Sequence, residues 1–246
     1  EGSAQTKTPQ TRSINLAGEN IMKRLLGLTV PALALALVLG FGGAAKATIS
    51  GTFNIDIYNY DALGVSANAD ATPGNVTTYA GDLISSITYT GLLLFDTRLL
   101  PDPSTPSTIK EFLESSGGTL SSDAGLNIDL STGGFRTTTL LDITWNGAFP
   151  GGGSIEHDDG VSLYDTSTNP DTLLTPASAA TPTTPIDTTF AAIGSTDLRL
   201  IYSAANGNPE VLDVTAVPLP AAVWLFGSAI LGLLGVGYKR RGKATA

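Results

Sequence analysis

Phe135–Trp145 reads FRTTTLLDITW. Phe135, Thr137, Thr139, Leu141, Ile143 and Trp145 fall on one face at a spacing of two, with Arg136, Thr138, Asp142 and Thr144 on the other. Successive side chains of a strand point to opposite faces, so this spacing predicts a long half-buried β-strand; the apolar positions of an amphipathic helix would recur every three to four residues. The same period appears on both sides of the stretch. Phe53, Ile55 and Ile57 alternate with Thr52, Asn54, Asp56 and Tyr58, and Leu126, Ile128 and Leu130 with Asn127 and Asp129. Further strands are predicted at Leu198, Leu200 and Tyr202 and from Val211 to Val214, separated by turn-forming stretches such as Gly151–Gly153 and Asn206–Pro209. Many short strands with turn signals between them predict an all-β fold, a single jelly-roll-like β-sandwich.

One short helix interrupts the strands. Thr108 and Glu111 have the spacing of a capping box, Ile109, Phe112 and Leu113 share a face, and Gly117 is placed to end the helix, which is expected to plug one end of the sandwich. Ala67–Gly74 and Asp165–Asp187 read as irregular, the latter with a short strand around Leu173 and Leu174. The charge-poor run from Ile87 to Phe95 is where an exposed edge strand is expected.

The two ends of the 246-residue chain have a different composition. Met22, Lys23 and Arg24 precede an apolar run from Leu25 to Phe41, followed by Ala45, Lys46 and Ala47. These are the basic, hydrophobic and A-x-A parts of a secretory signal peptide over 22–47, with a signal helix and cleavage by signal peptidase after Ala47. Residues 1–21 then read as an upstream or disordered segment. Ala221–Tyr238 carries no charge and has about the length of a membrane-spanning helix; Lys239, Arg240, Arg241 and Lys243 follow and would stay on the cytoplasmic side.

Between these ends lies 48–216, a length suited to one domain with a sizeable core. It holds 16 Asp and 4 Glu against 4 Lys and Arg, a net charge of −16 in a chain totalling −9. That balance argues against nucleic acid and anionic lipid as partners and favours cations, over and above its use as a solvated acidic surface. The chain has no cysteine, which excludes a cysteine nucleophile and any thiolate metal site. Its one histidine, His157, limits a Ser-His-Asp triad to that residue, and no G-x-S-x-G elbow is present. By parity with Ile155, His157 faces partly into a sheet.

The remaining motif is GSIEHDDGVSLYD, Gly153–Asp165. A strand over Ser154–His157 enters Asp158, Asp159 and Gly160, and a strand over Val161–Tyr164 leaves. The two carboxylates are thereby expected on a tight turn at a sheet edge, with Gly160 free to take an unusual backbone conformation. Adjacent aspartates repel unless a cation or hydrogen-bond donors neutralise them; Ca²⁺ takes six to eight oxygens, while bracing by backbone N–H groups is the structural alternative. Glu156, Asp158 and Glu210 are the acids from which a glycosidase pair would be drawn. Trp145 and the tyrosines Tyr58, Tyr60, Tyr79, Tyr89, Tyr164 and Tyr202 offer rings for sheet packing or for stacking on sugar.

Two resemblances add to these readings. Val217, Pro218, Leu219, Pro220 and Ala221, followed by an aromatic-containing Gly-rich helix and a basic end over 217–246, resemble the VPLPA variety of the PEP-CTERM sorting signal. The resemblance implies a substrate of an exosortase, a transient stay in the inner membrane, and a destination at the cell surface or in the extracellular polysaccharide matrix, or biofilm, of a Gram-negative-type bacterium. The strand, Asp158–Asp159–Gly160 turn and following apolar and aromatic strand resemble the glycan-binding module named after anthrax protective antigen. That likeness covers roughly Phe135–Val214. It implies Ca²⁺ held by Asp158 and Asp159 with help from Asn206 or Asn208 in SAANGNPEVL, after a strand DLRLIYSA like the module's late strand. In other members the aspartates only brace the turn. Three functions follow as expectations: a non-enzymatic matrix or adhesion protein that binds exopolysaccharide with calcium, which is preferred; a secreted carbohydrate-active hydrolase; and a self-assembling surface protein.

Overall fold

The computed structural model describes residues 46–102, 107–180 and 184–217, which fall within one compact unit, Ala44–Leu219. The expected segment 1–21, signal helix, Ala45 and the sorting and membrane segment from Pro218 onward lie outside the described residues. Among those described, no helix is long and apolar enough to cross a membrane.

The strands are β1 (Ala47–Thr48), β2 (Ser50–Asp61), β3 (Leu83–Leu92), β4 (Leu94–Asp96), β5 (Thr119–Leu120), β6 (Thr137–Phe149), β7 (Gly153–Asp158), β8 (Val161–Asp165), β9 (Thr172–Leu173), β10 (Ile186–Phe190), β11 (Ile193–Ala204) and β12 (Val211–Ala216). They form two antiparallel sheets. One runs β5-β3-β2-β6-β11-β8-β9; the other runs β1-β12-β7-β10, with β4 also paired to β12. β6, the strand read from FRTTTLLDITW, is the centre of the seven-stranded sheet, paired with β2 on one side and β11 on the other.

The core lies between the inner faces of the sheets. Phe53, Ile55, Ile57, Leu141, Ile143, Leu163, Leu198, Leu200 and Tyr202 face Phe95, Ile155, Phe190, Leu212 and Val214. Helix α2 (Ile109–Glu114), the one expected from sequence, begins in a full capping box between Thr108 and Glu111, and the chain turns away at Gly117 with φ +82°. Its Ile109, Phe112 and Leu113 join the core, with the Phe112 ring 5.6 Å from Phe95 and 5.7 Å from Tyr202.

The alternation at Leu126–Leu130 does not form a strand. Leu126 and Leu130 are buried but Ile128 is exposed. The backbone of this segment meets the start of α2 instead: the Ile109 and Lys110 N–H groups donate to the Ile128 and Leu126 carbonyls, and Leu130 N–H donates to Ser107 O. Donors that a helix start leaves without intrahelical partners are satisfied by this loop, which removes its need for a ladder.

The outer face of the seven-stranded sheet carries a second apolar cluster. Tyr58, Tyr60, Leu140, Ile201 and Ala205 pack with Ala62, Ala69, Ala71, Val76 and Ala180. The expected irregular stretch near Ala67–Gly74 supplies this cover, as a 3₁₀ turn at Ser66–Ala69 and α1 (Pro73–Thr78), capped at its start by Thr72. Tyr79 stacks on Tyr60 at 3.6 Å. The run Ile87–Phe95, where an exposed edge was expected, is largely covered: β5 pairs with Tyr89 and Thr90 on the outer side of β3, Ser121 N–H donates to Thr88 O and Thr88 N–H donates to Ser121 Oγ, and Ile87, Tyr89, Leu93 and Phe95 are buried.

Consecutive Leu140 and Leu141 are therefore both wholly buried, on opposite faces of β6. Leu140→Ala is expected to destabilise the chain by about 2–5 kcal/mol, as much as Leu141→Ala, in urea unfolding. A cost under about 0.5 kcal/mol, the level of an exposed position, would show that the outer cluster is not a core.

Candidate functional site

The strand expected over Ser154–His157 is β7, which extends through Asp158, and Val161 begins β8 as expected. The turn between them, however, is not at a sheet edge. β7 is flanked by β10 and β12 in one sheet, while β8 pairs with β11 in the other, so Asp158–Asp159–Gly160 is a crossover that carries the chain across the sandwich. The roles within it also differ from expectation. The unusual backbone falls on Asp159, at φ +127°, a region costly for any side chain. Gly160 is required by close approach: a Cβ there would run into the Ser178 carbonyl oxygen.

A crossover between packed sheets is interior, and both aspartates are accordingly buried, Asp158 at 3% and Asp159 at 1% exposure. Asp159 Oδ2 accepts the backbone N–H groups of Ala205 and Asn206 at 2.7 and 3.0 Å. Asp159 Oδ1 and Asp158 Oδ2 have no hydrogen-bond partner. His157 braces the turn from behind. Its Nδ1 lies 2.6 Å from the Asp159 carbonyl, which only accepts, so Nδ1 carries the proton; Nε2 then accepts from the Thr188 hydroxyl at 2.9 Å. That tautomer is neutral, in line with burial pushing the His157 pKa down.

Sequence reasoning placed Glu210 only among possible catalytic acids; the structure makes it the centre of the site. It has no exposed surface. Ser131 Oγ donates to Glu210 Oε1 at 2.5 Å and itself accepts from Gly207 N–H. Tyr202 OH lies 2.6 Å from the Asp158 carbonyl and 3.1 Å from Glu210 Oε2. Tyr202 has one proton, and the shorter bond to the Asp158 carbonyl takes it. The contact with Glu210 is then a hydrogen bond when Glu210 carries a proton and donates it. Burial, and next the charge of Asp159, push the Glu210 pKa well above the carboxylate range, in agreement with that geometry. The signal that marks Glu210 in the sequence is its place one residue before β12, but nothing local shows that the residue is buried.

Burial and the adjacent charge of Asp159 push Asp158 up to about 7. Burial pushes Asp159 to about 6, held back by the N–H bonds from Ala205 and Asn206 and by Glu210. The Asn206 side chain is directed elsewhere, its Oδ1 accepting from Gly134 N–H at 3.2 Å; Asn206 serves the turn through its backbone. Asn208 Nδ2 donates to Ser107 Oγ. Of the remaining expected sites, Ala47 pairs with Ala216, and Val217 N–H donates to Gly152 O.

Among the described residues, no group of three or more His, Asp or Glu is placed to hold a metal. The donor chemistry at the crossover nonetheless fits a hard cation: two adjacent carboxylates, each with one buried oxygen lacking any donor, in a place where full ionisation is unfavourable without a countercharge. A second acidic feature lies on the outer face of the smaller sheet, where Asp187, Glu156 and Asp213 are direct cross-strand neighbours. These are engaged by the chain itself. Arg98 bonds Glu156 and Asp96, Thr48 donates to Asp213, and Lys46 stands 3.8 Å from Asp187.

No known protein family matches the chain, and no curated protein matches it. Among solved structures, the PA14 sugar-binding domain from an RTX adhesin aligns with a TM-score of 0.37 and 13% identity, over 68% of this chain and 87% of its own. The PA14 domain of the MpAFP antifreeze protein aligns with a TM-score of 0.36 and 12% identity, over 70% and 85% respectively.

The raised carboxyls set the sign of the pH dependence. Below pH 4 the acids are protonated in both states. Between pH 4 and 7 the folded chain holds protons at Asp158, Asp159 and Glu210 that the unfolded chain releases, so stability falls as pH rises through this window. His157, with a lowered pKa, acts in the opposite direction below about pH 6.5, one group against three. In EDTA, the chain is expected to lose stability on the order of several kcal/mol between pH 4 and 8, at about 1.4 kcal/mol per tenfold change in proton affinity. Thermal melts of the full chain across that range check this, and Asp158→Asn is expected to flatten the decline.

Proposed function

We propose that this chain is a non-catalytic exported protein of the cell surface or extracellular matrix, and that it binds polysaccharide with a Ca²⁺ ion held by Asp158 and Asp159. The observation that carries the reading is the pair of partnerless buried oxygens, Asp158 Oδ2 and Asp159 Oδ1. Asp158 and Asp159 would supply carboxylate oxygens to the ion, and the bonds from Ala205 and Asn206 hold Asp159 in place for it. When bound, the ion would supply positive charge and coordination positions for hydroxyl oxygens.

A non-catalytic role is supported by how the acids are placed. Glu210 has no exposed surface, and Glu156 is bonded to Arg98 on the outer face of the smaller sheet, whereas glycoside cleavage needs two carboxyl groups facing a shared cleft. Export rests on the signal-peptide pattern over 22–47 and on Val217–Ala221, which resembles an exosortase sorting signal. Signal peptidase, exosortase and, in passing, the inner membrane are then partners during export, and exopolysaccharide is the partner at the destination.

Adding millimolar Ca²⁺ to the EDTA-stripped full chain at pH 7.5 is expected to raise the melting temperature; an ion at about 100 times its dissociation constant contributes roughly 2.7 kcal/mol. Asp158→Asn and Asp159→Asn are expected to abolish the rise, and retention on immobilised polysaccharides is expected in Ca²⁺ but not in EDTA. A wild-type melt indifferent to Ca²⁺ would leave the aspartates as structural braces and overturn the proposal.

A further inference from the structure

The register of the smaller sheet decides which way its acids face. Phe95, Ile155, Leu212 and Val214 lie in the core, so their neighbours along each strand are directed to the outer face. Asp96, Val211 and Asp158 then form one row across β4, β12 and β7, and Asp213, Glu156 and Asp187 form the next row across β12, β7 and β10. The side chain of Asp158 is thus directed to the same face as Glu156, two residues away on β7. It is nonetheless buried, as is Val211 beside it.

Arg98 spans this face. Its Nε donates to both carboxylate oxygens of Asp96 at 2.9 Å, and its Nη2 donates to Glu156 Oε1 at 2.9 Å, so the side chain bridges β4 to β7 over the intervening β12. The 3₁₀ turn that carries it, Thr97–Leu99, is fixed to the residue before β12: Thr97 N–H donates to the Glu210 carbonyl, and Glu210 N–H donates to Thr97 Oγ1 at 2.9 Å. The bonds of Arg98 go to Asp96 and Glu156, not to Asp158. Its charge still acts on Asp158, offsetting part of the rise that burial and Asp159 cause there. The other cations among the described residues stand elsewhere: Lys46 beside Asp187, Lys110 at Asp123, Arg136 beside Asp61 and Arg199 at Asp142.

We propose that Arg98 is the built-in countercharge of Asp158 and sets how tightly the crossover holds a cation, because the guanidinium and the ion are drawn to the same carboxylate and repel each other. The inference rests on the calcium reading of Asp158 and Asp159 and adds to it a residue that tunes the affinity. Three properties make the repulsion a fixed part of the site. Arginine keeps its charge at every working pH. Its guanidinium is held on one side by the buried Asp96 and on the other by Glu156, so it does not swing away freely. Salt screens a largely covered site less than an exposed one, and a divalent ion feels twice the repulsion of a monovalent one. A hard-cation site weakened in this way fits the range of extracellular modules, whose dissociation constants are about 10⁻⁴–10⁻³ M.

The test compares the full-length wild type, Arg98→Gln, Arg98→Lys and Glu156→Gln, each stripped with EDTA and titrated with Ca²⁺ by calorimetry and by melting. Arg98→Gln is expected to melt lower than wild type in EDTA, since Asp96 and Glu156 lose their partner, and yet to bind Ca²⁺ about threefold or more tightly. These two effects have opposite signs, which a purely structural strap would not produce. Arg98→Lys keeps the charge and is expected to keep the wild-type affinity. Glu156→Gln leaves the Arg98 charge less neutralised and is expected to weaken Ca²⁺ binding, which serves as the reading if Arg98→Gln does not fold. A wild type that binds Ca²⁺ beside an Arg98→Gln variant of equal or weaker affinity, or a Glu156→Gln variant that binds as tightly as wild type, overturns the proposal. A wild type indifferent to Ca²⁺ beside an Arg98→Gln variant that responds overturns the calcium reading of the native chain but upholds Arg98 as the countercharge; no response in either overturns both.

Discussion

Asp159 Oδ2 takes the N–H groups of Ala205 and Asn206 at the exit of β11, and this pair of bonds joins the two sheets where the chain crosses between them. The neighbouring contacts are arranged around it. His157 holds the Asp159 carbonyl and Tyr202 holds the Asp158 carbonyl. Ser203 N–H donates to Gly160 O, and Ser178 lies so close to Gly160 that no side chain fits there. A carboxylate receiving two backbone N–H bonds is stabilised in its charged form, yet burial raises the Asp159 pKa all the same. Desolvation is therefore the larger effect here, and the net rise is greater at Asp158, where the charge of Asp159 adds to burial and no N–H bond to the side chain offsets them.

Burying three acids together is unfavourable unless protons or a cation neutralise them. Glu210 has its own neutral solution, a carboxyl group set between Ser131 and Tyr202. Asp158 and Asp159 each keep an oxygen without a donor. That difference separates a structural acid from a pair suited to a ligand. The backbone strain at Asp159 has the same origin: φ +127° is retained because the hydrogen bonds on both sides of the residue fix it.

The strands were legible where burial is one-sided. Phe53, Ile55 and Ile57, and Leu141, Ile143 and Trp145, alternate because one face of each strand meets the core, and those assignments match the structure. The capping box at Thr108 was legible because it is a local hydrogen-bond pattern. Alternation misled at Leu126–Leu130, where a loop buries Leu126 and Leu130 but exposes Ile128 while its carbonyls serve α2. The adjacent pair Leu140–Leu141 was the one local sign of a covered outer face, but its partners Ala69, Ala71, Val76 and Ala180 are distant and small, so no periodic pattern betrays them. At the site, Asp158 and Asp159 stood out by adjacency and Gly160. Their burial did not, because it comes from β7 and β8 belonging to different sheets. Glu210 joins them only through pairing of β12 with β7, a long-range contact that local patterns do not encode.

Carbon-detected NMR titration of the Asp158, Asp159 and Glu210 side-chain carboxyls tests the central claim, that the crossover holds buried acids in need of a countercharge. In EDTA the account predicts midpoints near 7 for Asp158 and near 6 for Asp159, with that of Glu210 raised well above the ordinary carboxylate value by burial; saturating Ca²⁺ is predicted to bring the two aspartates below about 4, the ordinary value of the side chain. Aspartate midpoints already near 4 in EDTA and unmoved by Ca²⁺ would contradict it.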